Sequence, residues 1–116
     1  MRAYTKIFKA LSDEGRLRIL NLLSRKSLCV CEITEVLRLA TSTVSKHLSI
    51  LREAGFIIDV KDGKWVNYCL DESTNEIVKS VRDLVVEWLS QNKIARLDLV
   101  KLKNVDRNNI CGIAKS

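Results

Sequence analysis

Residues 28–55, LCVCEITEVLRLATSTVSKHLSILREAG, read as two short helices joined by a tight turn. The first carries Val30, Ile33, Val36 and Leu37 on one apolar face. The second carries Val44, Leu48 and Leu51, again at the three-to-four spacing of an amphipathic helix. Its polar face is built of Thr41, Ser42, Thr43, Ser45, Lys46, His47, Ser49 and Arg52, mostly small hydroxyls and short donors instead of the usual Glu/Lys mixture of a solvated surface. Such a face suits a DNA groove, because short donors let the backbone approach phosphates and base edges. Cys29 and Cys31 sit where the first of these helices begins, so a reader and a candidate sensor share one motif.

Outward from that motif the chain is regular. Tyr4, Ile7, Phe8 and Leu11 follow a helical spacing, and Ser12 is the expected N-cap of a second helix that opens with Asp13 and Glu14. That helix runs through Leu17, Ile19, Leu20, Leu22 and Leu23 and is apolar over much of its circumference, as a central pillar should be. Gly55 stands in the position of a left-handed C-terminal cap. The pattern then turns extended: residues 56–61 are β-rich, Asp62-Gly63 is expected to close a two-residue hairpin, and residues 64–70 return with period two. A hairpin directly behind a helix-turn-helix is a wing, placing Lys61 and Lys64 beside the backbone of an adjoining groove. From Ser73 a long helix carries Ile77, Val81, Leu84, Val85, Trp88 and Leu89, and Ile94, Leu97, Val100 and Leu102 continue an apolar pattern. Two apolar terminal helices on a core this small suggest a partner surface, and a homodimer is the simplest one.

The expected fold is therefore mainly α with a β-hairpin, a winged helix-turn-helix of five or six helices and a two-stranded wing. Residues 1–103 form the DNA-binding and dimerisation domain and 104–116 a polar C-terminal tail. At 116 residues with 47% hydrophobic content, one domain can bury a core without disulfides. No apolar run is long enough to span a bilayer and no signal-peptide core is legible, so a cytoplasmic protein without membrane contact is expected, its four cysteines reduced. The net charge of +6 fits an acidic partner. It is concentrated at the ends: residues 1–28 hold seven Lys/Arg against two Asp/Glu and 93–116 hold six against two, whereas 41–70 hold four against three. The flanks then supply salt-sensitive phosphate attraction, and the central helix supplies register and discrimination.

Four motifs, ALSDEGRLRILNLL, LCVCEITEVL, STVSKHLSILREAGFI and DGKWVNYCL, occur in an order that resembles the ArsR/SmtB family of winged-helix metalloregulatory repressors, from about Ile7 to Leu70. The resemblance implies a homodimer joined through its first and last helices. It also implies binding of double-stranded operator DNA by the helix from about Thr41 to Ala54, and release when a metal or metalloid binds. LCVCE resembles the box of the arsenite and antimonite sensors, and also that of cadmium/lead sensors. Thiolates suit soft ions, and trivalent arsenic prefers three sulfurs. Arg25, Lys26 and the helix N-terminus are expected to favour the thiolate form of Cys29 and Cys31. The position where the family often has a third cysteine is Thr34, which leaves Cys111 as the candidate third sulfur and Cys69, expected on the wing's exposed face, as a poorer one. His47 is the chain's sole histidine, which argues against the family's His-rich zinc or nickel sites on the last long helix. Ala40 stands where a capping Ser is usual, so Thr41 or Ser42 is expected to cap instead.

The expected activity is metalloid-responsive repression with no enzymatic step. DNA binding needs no cofactor, and As(III) or Sb(III) is the inducer, alternatively Cd(II) or Pb(II). A thiol-redox-responsive repressor is the alternative within the fold. A thiol redox enzyme is the alternative outside it, and no general base is legible beside the cysteines. Residues i and i+2 on an α-helix lie about 200° apart, so an ion joining Cys29 to Cys31 is expected to distort the helix's first turn.

Overall fold

The structure, a computed structural model, describes residues 1–105. Six helices and a small antiparallel sheet follow in the order α1 (Arg2–Leu11), α2 (Glu14–Leu23), β1 (Leu28–Cys29), α3 (Val30–Leu37), α4 (Thr41–Glu53), β2 (Ile57–Asp62), β3 (Trp65–Leu70), α5 (Glu76–Leu89) and α6 (Lys93–Leu102). Ile19, Leu20, Leu22 and Leu23 of α2 are all buried, and the helix is the pillar its composition predicts. Around it pack Ile33, Val36 and Leu37 of α3, Val44, Leu48 and Leu51 of α4, and Phe56 at the entry to the wing. The 3.6-residue period buries one stripe of each helix and leaves the opposite arc to solvent.

Capping fixes where each helix starts and stops. Asp13, not Ser12, caps α2: its carboxylate accepts the Arg16 N–H at 3.2 Å, while the Ser12 hydroxyl donates to the Lys9 carbonyl and so closes α1. Helix α4 has Ala40 as its N-cap, and neither Thr41 nor Ser42 takes over, because both already lie at the helix start. At its other end Gly55, at φ +91, lets its own N–H reach Arg52 O and the Phe56 N–H reach Leu51 O, both at 3.1 Å. Those two bonds form the paired C-terminal closure that needs a left-handed residue. A Cβ at Gly55 would also lie 2.9 Å from Thr74 Oγ1.

The sheet order is β1-β3-β2, with Asp62 paired to Trp65. The two-residue loop is therefore Gly63-Lys64, one position later than Asp62-Gly63, with Gly63 at φ +61. Strand β1 was not expected; Leu28 opposes Tyr68 and Cys29 opposes Asn67, which makes the wing the outer part of a three-stranded sheet.

The terminal helices depart most from a simple core-facing reading. Ile7 is buried on α1, but Tyr4 and Phe8 are 52% and 64% exposed. On α5 the inward residues are Val78 and Arg82, while Ile77, Leu84 and Trp88 face outward; on α6 Ala95, Asp98 and Leu102 face inward, while Ile94, Leu97 and Val100 face outward. Inward polar groups are matched. Arg18 holds Asp98 with two bonds of 2.8 and 2.9 Å, Asn21 donates to the Ala95 carbonyl at 2.9 Å, and Arg82 bonds Glu72, Asp83 and the Asp71 carbonyl. Phe8, Leu11, Leu17, Val81, Leu84, Val85, Trp88 and Leu89 line an apolar groove of about 390 Å³ between α1 and α5.

Candidate nucleic-acid interface and thiol site

Helices α3 and α4 are joined by Arg38, Leu39 and Ala40, with Arg38 in the left-handed region at φ 59, ψ 35 and its N–H bonded to Thr34 O. This three-residue turn is the joint of a helix-turn-helix, in which the second helix enters the DNA groove. On α4, Ser42, Ser45, Lys46 and Ser49 follow i, i+3, i+4 and i+7 along an arc opposite Val44, Leu48 and Leu51. Thr41, Ser42, Thr43, Ser45 and Lys46 are exposed and Ser49 is half-buried. No side chain caps the first turn of this helix.

Two members of the predicted contact set are engaged within the protein. Arg52 reaches Asp59 of β2 at 3.3 Å, a half-exposed pair that links the end of α4 to the wing. His47 is half-buried and turns towards the start of α2: Arg16 Nη1 lies 3.2 Å from its Nδ1, and its Nε2 lies 3.5 Å from Asp13 Oδ1. Arginine can only donate, so Nδ1 is the acceptor and the ring proton sits on Nε2, facing the carboxylate. Burial and the nearby charges of Arg16 and Lys46 push the His47 pKa down against the pull of Asp13, so the ring is neutral near pH 7. Lys61 and Lys64 are exposed on the wing, and the Lys64 ammonium lies 5.5 Å from the centre of the Trp65 ring.

The thiol pair is built differently from two helical residues. Cys29 is the N-cap of α3, at φ −90, ψ 168, and at the same time the last residue of β1. Its N–H donates to Glu32 Oε1 at 2.9 Å while the Glu32 N–H faces its sulfur, a capping box with a thiol in place of the usual hydroxyl. The 200° separation expected of two helical positions does not apply, because only Cys31 lies on the helix; an ion need not unwind the first turn to meet Cys29. Burial pushes the Cys29 thiol up, with the Glu32 carboxylate adding to the shift, so the expected thiolate-favouring environment is not found at this residue. The exposed side chains of Arg25 and Lys26 do not offset that desolvation.

Cys29 and Cys69 are free thiols. Cys31 is half-buried and disulfide-bonded, where a reduced thiol was expected. Cys69 is half-buried opposite Ile58, not fully exposed as expected. Cys111 lies outside the described residues. Among the described residues no three His, Cys, Asp or Glu side chains converge as metal ligands, and no helix is long and apolar enough to cross a membrane. Beside the pair is a cavity of about 170 Å³ lined by Cys29, Val30, Cys31, Lys64, Trp65 and Val66. Cys29 is the free thiol at this cavity, and only with Cys31 reduced would two sulfurs, a donor type suited to soft ions, line it.

A helix-turn-helix with a three-stranded sheet behind it and hydroxyl-rich outward residues on its second helix defines a winged-helix regulator of transcription. Residues 13–59 match the model of the bacterial regulatory protein, arsR family. The chain is 35% identical over 113 residues to the arsenical resistance operon repressor of Escherichia coli (strain K12), covering 96% of this chain and 92% of that one. It is 37% identical over 94 residues to the cadmium resistance transcriptional regulatory protein CadC homolog of Staphylococcus aureus, covering 79% and 73%. Among solved structures, reduced HlyU from Vibrio cholerae N16961 superposes with a TM-score of 0.65 at 31% identity, over 78% of this chain and 92% of that one. The chain belongs to the arsR family, whose members are regulators and not enzymes.

Sequence reasoning missed Asp13 and Arg16, which position His47, and Trp65, which walls the thiol cavity. The DEGR segment and the lone tryptophan of the hairpin were visible, but neither points to a partner in sequence.

Proposed function

We propose that the chain represses transcription by binding double-stranded operator DNA as a homodimer, and releases it when trivalent arsenic or antimony bonds to Cys29 and Cys31. Helix α4 reads the groove through Thr41, Ser42, Thr43, Ser45, Lys46 and Ser49, and Lys61 and Lys64 hold phosphates of the adjoining groove. The outward apolar residues of α1, α5 and α6 pack against a second copy, which covers the groove beside Trp88 and Phe8. The observation that carries the inducer is Cys29, a free, buried thiol capping the helix that precedes the reader, with Cys31 two residues on at the same cavity.

Each thiol that condenses with As(OH)3 forms one As–S bond and breaks one As–O bond, and its proton leaves in the departing water. Cys31 has to be reduced by a small-molecule thiol before it can take part, and Cys111 is the candidate third sulfur. Release needs only that the ligand prefer the low-affinity form of the dimer by a few kcal/mol.

The disulfide at Cys31 supports a second reading, a repressor that answers oxidation. One titration separates the two. With protein held reduced by a thiol reductant and bound to operator fragments, arsenite should release DNA at lower concentration than cadmium. Release by a diamide-type oxidant with indifference to arsenite would establish the redox reading instead. A dimer mass in solution that collapses to monomer in Trp88→Asp tests the partner surface.

A further inference from the structure

We infer that the sensor acts on DNA affinity through the wing, with Trp65 as the coupling residue between the Cys29–Cys31 site and Lys64. This inference rests on the proposed metalloid site and adds the route by which its occupancy is felt. Two independent features join the thiols to the wing. The first is backbone: Cys29 ends β1, and β1 is hydrogen-bonded to β3 in a register that sets Cys29 opposite Asn67 and Leu28 opposite Tyr68. The second is a shared wall: the cavity of about 170 Å³ has Cys29, Val30 and Cys31 on one side and Lys64, Trp65 and Val66 on the other.

Trp65 is the first residue of β3 and pairs with Asp62 across the turn, so its ring sits at the hinge of the hairpin tip. The Lys64 ammonium lies 5.5 Å from the centre of that ring, within the range at which a cation is held by an aromatic face. A ligand drawn in by the two sulfurs occupies space against the indole, and any shift of the indole carries the lysine with it. On the hairpin Ile58, Val60 and Val66 face outward, so fewer core contacts oppose such a shift there than at the inward face of α3. Helix α3 is the other neighbour of the thiols, but its N-terminus is held by the Glu32 carboxylate on the Cys29 N–H, and its inward residues are buried. The proposed route therefore runs through the wing.

The test uses the full chain, reduced, with arsenite as the probe and three readouts on each sample: accessible thiols, tryptophan emission and operator affinity. Arsenite occupancy of the thiols is expected to change emission at the same midpoint as DNA release, and the change should vanish in Trp65→Phe, in which only Trp88 remains to emit. In Trp65→Ala the factor by which arsenite weakens operator binding should fall by about fivefold or more, the lower end of ordinary allosteric coupling. Trp65→Phe, which keeps an aromatic face for Lys64, should retain most of that factor and shows that a loss in the alanine variant is not a failure to fold. An unchanged coupling factor in Trp65→Ala, or an emission change that persists in Trp65→Phe, overturns the wing route while thiol protection leaves the metalloid site standing. No thiol protection by arsenite at all overturns the site and the route together.

Discussion

His47 Nε2 lies 3.5 Å from Asp13 Oδ1, so the reading helix is anchored at mid-length to the residue that caps α2. Arg16 completes the joint, donating to His47 Nδ1 at 3.2 Å and to the carbonyls of Ala10 and Lys9 at 2.8 and 3.0 Å. One guanidinium thus ties α1, α2 and α4 together. The outward hydroxyls of α4 are carried by a helix whose orientation is set from behind.

That joint gives a pH dependence with a defined sign. The His47 pKa is lowered in the folded protein, chiefly by burial, so below about 6.5 the unfolded chain binds a proton more readily than the folded one. Stability from this group is complete above that pH and declines as pH falls through it. Thermal melts between pH 7.5 and 5.5 should show a falling midpoint in the native chain and a flatter profile in His47→Gln. An identical pH profile in the two proteins would mean the ring does not titrate as placed.

The Arg18–Asp98 pair should matter more for stability than any surface pair. Asp98 is 1% exposed and receives two bonds from Arg18, which spans from α2 to α6. Replacing Asp98 with Ala strands a partly buried cation, and removing one partner of a buried pair costs about 3 kcal/mol. Urea denaturation should register that loss. A change below about 0.5 kcal/mol, the level of an exposed pair, would show the bridge to be solvated.

The reader face is tested by Ser45→Leu. Ser45 is exposed on the outward arc of α4 between Ser42 and Ser49, so a bulky apolar side chain costs no core packing but blocks the groove. Loss of one good base contact costs about 1–3 kcal/mol and steric exclusion costs more. Gel shifts should lose the specific complex while the melting midpoint stays within a few degrees. Lys61→Ala is the complementary case: sequence preference should survive, and the slope of log affinity against log salt should fall by about 0.9. A changed preference with an unchanged slope would place Lys61 on a base.

Much of the fold around α4 was legible in the residues, and the reason is local repetition. The stripes Ile33/Val36/Leu37 and Val44/Leu48/Leu51, the glycine after Ala54 and the alternation of 64–70 each signal their own structure within a few positions. What stayed hidden depends on partners far along the chain. Strand β1 has two residues, too few for any period, and exists because β3 offers it a ladder. Asp98 carries no local signal in the sequence, because its burial depends on Arg18, 80 positions earlier on α2. On α5 the widest apolar stripe faces away from the core, because periodicity finds an apolar face but not which neighbour covers it.

The cysteines carry the last prediction. Replacing Cys29 or Cys31 with Ser substitutes a hard, protonated oxygen for a soft thiol while sparing the fold; at position 29 the hydroxyl caps α3 at least as well as sulfur does. Operator binding should persist in both variants, and arsenite should no longer release it. Cys69→Ser should leave both properties intact, since Cys69 stands opposite Ile58 and outside the lining of the thiol cavity. Cys111→Ser discriminates the coordination: a loss of about tenfold or more in arsenite affinity makes it the third sulfur, and no loss leaves a two-sulfur site completed by an exogenous thiol or water. The measurement is arsenite titration of reduced, DNA-bound protein followed by fluorescence anisotropy of the operator. Normal release in the Cys29→Ser, Cys31→Ser double variant would remove the metalloid site from this motif and leave the DNA-reading surface of α4 unaffected.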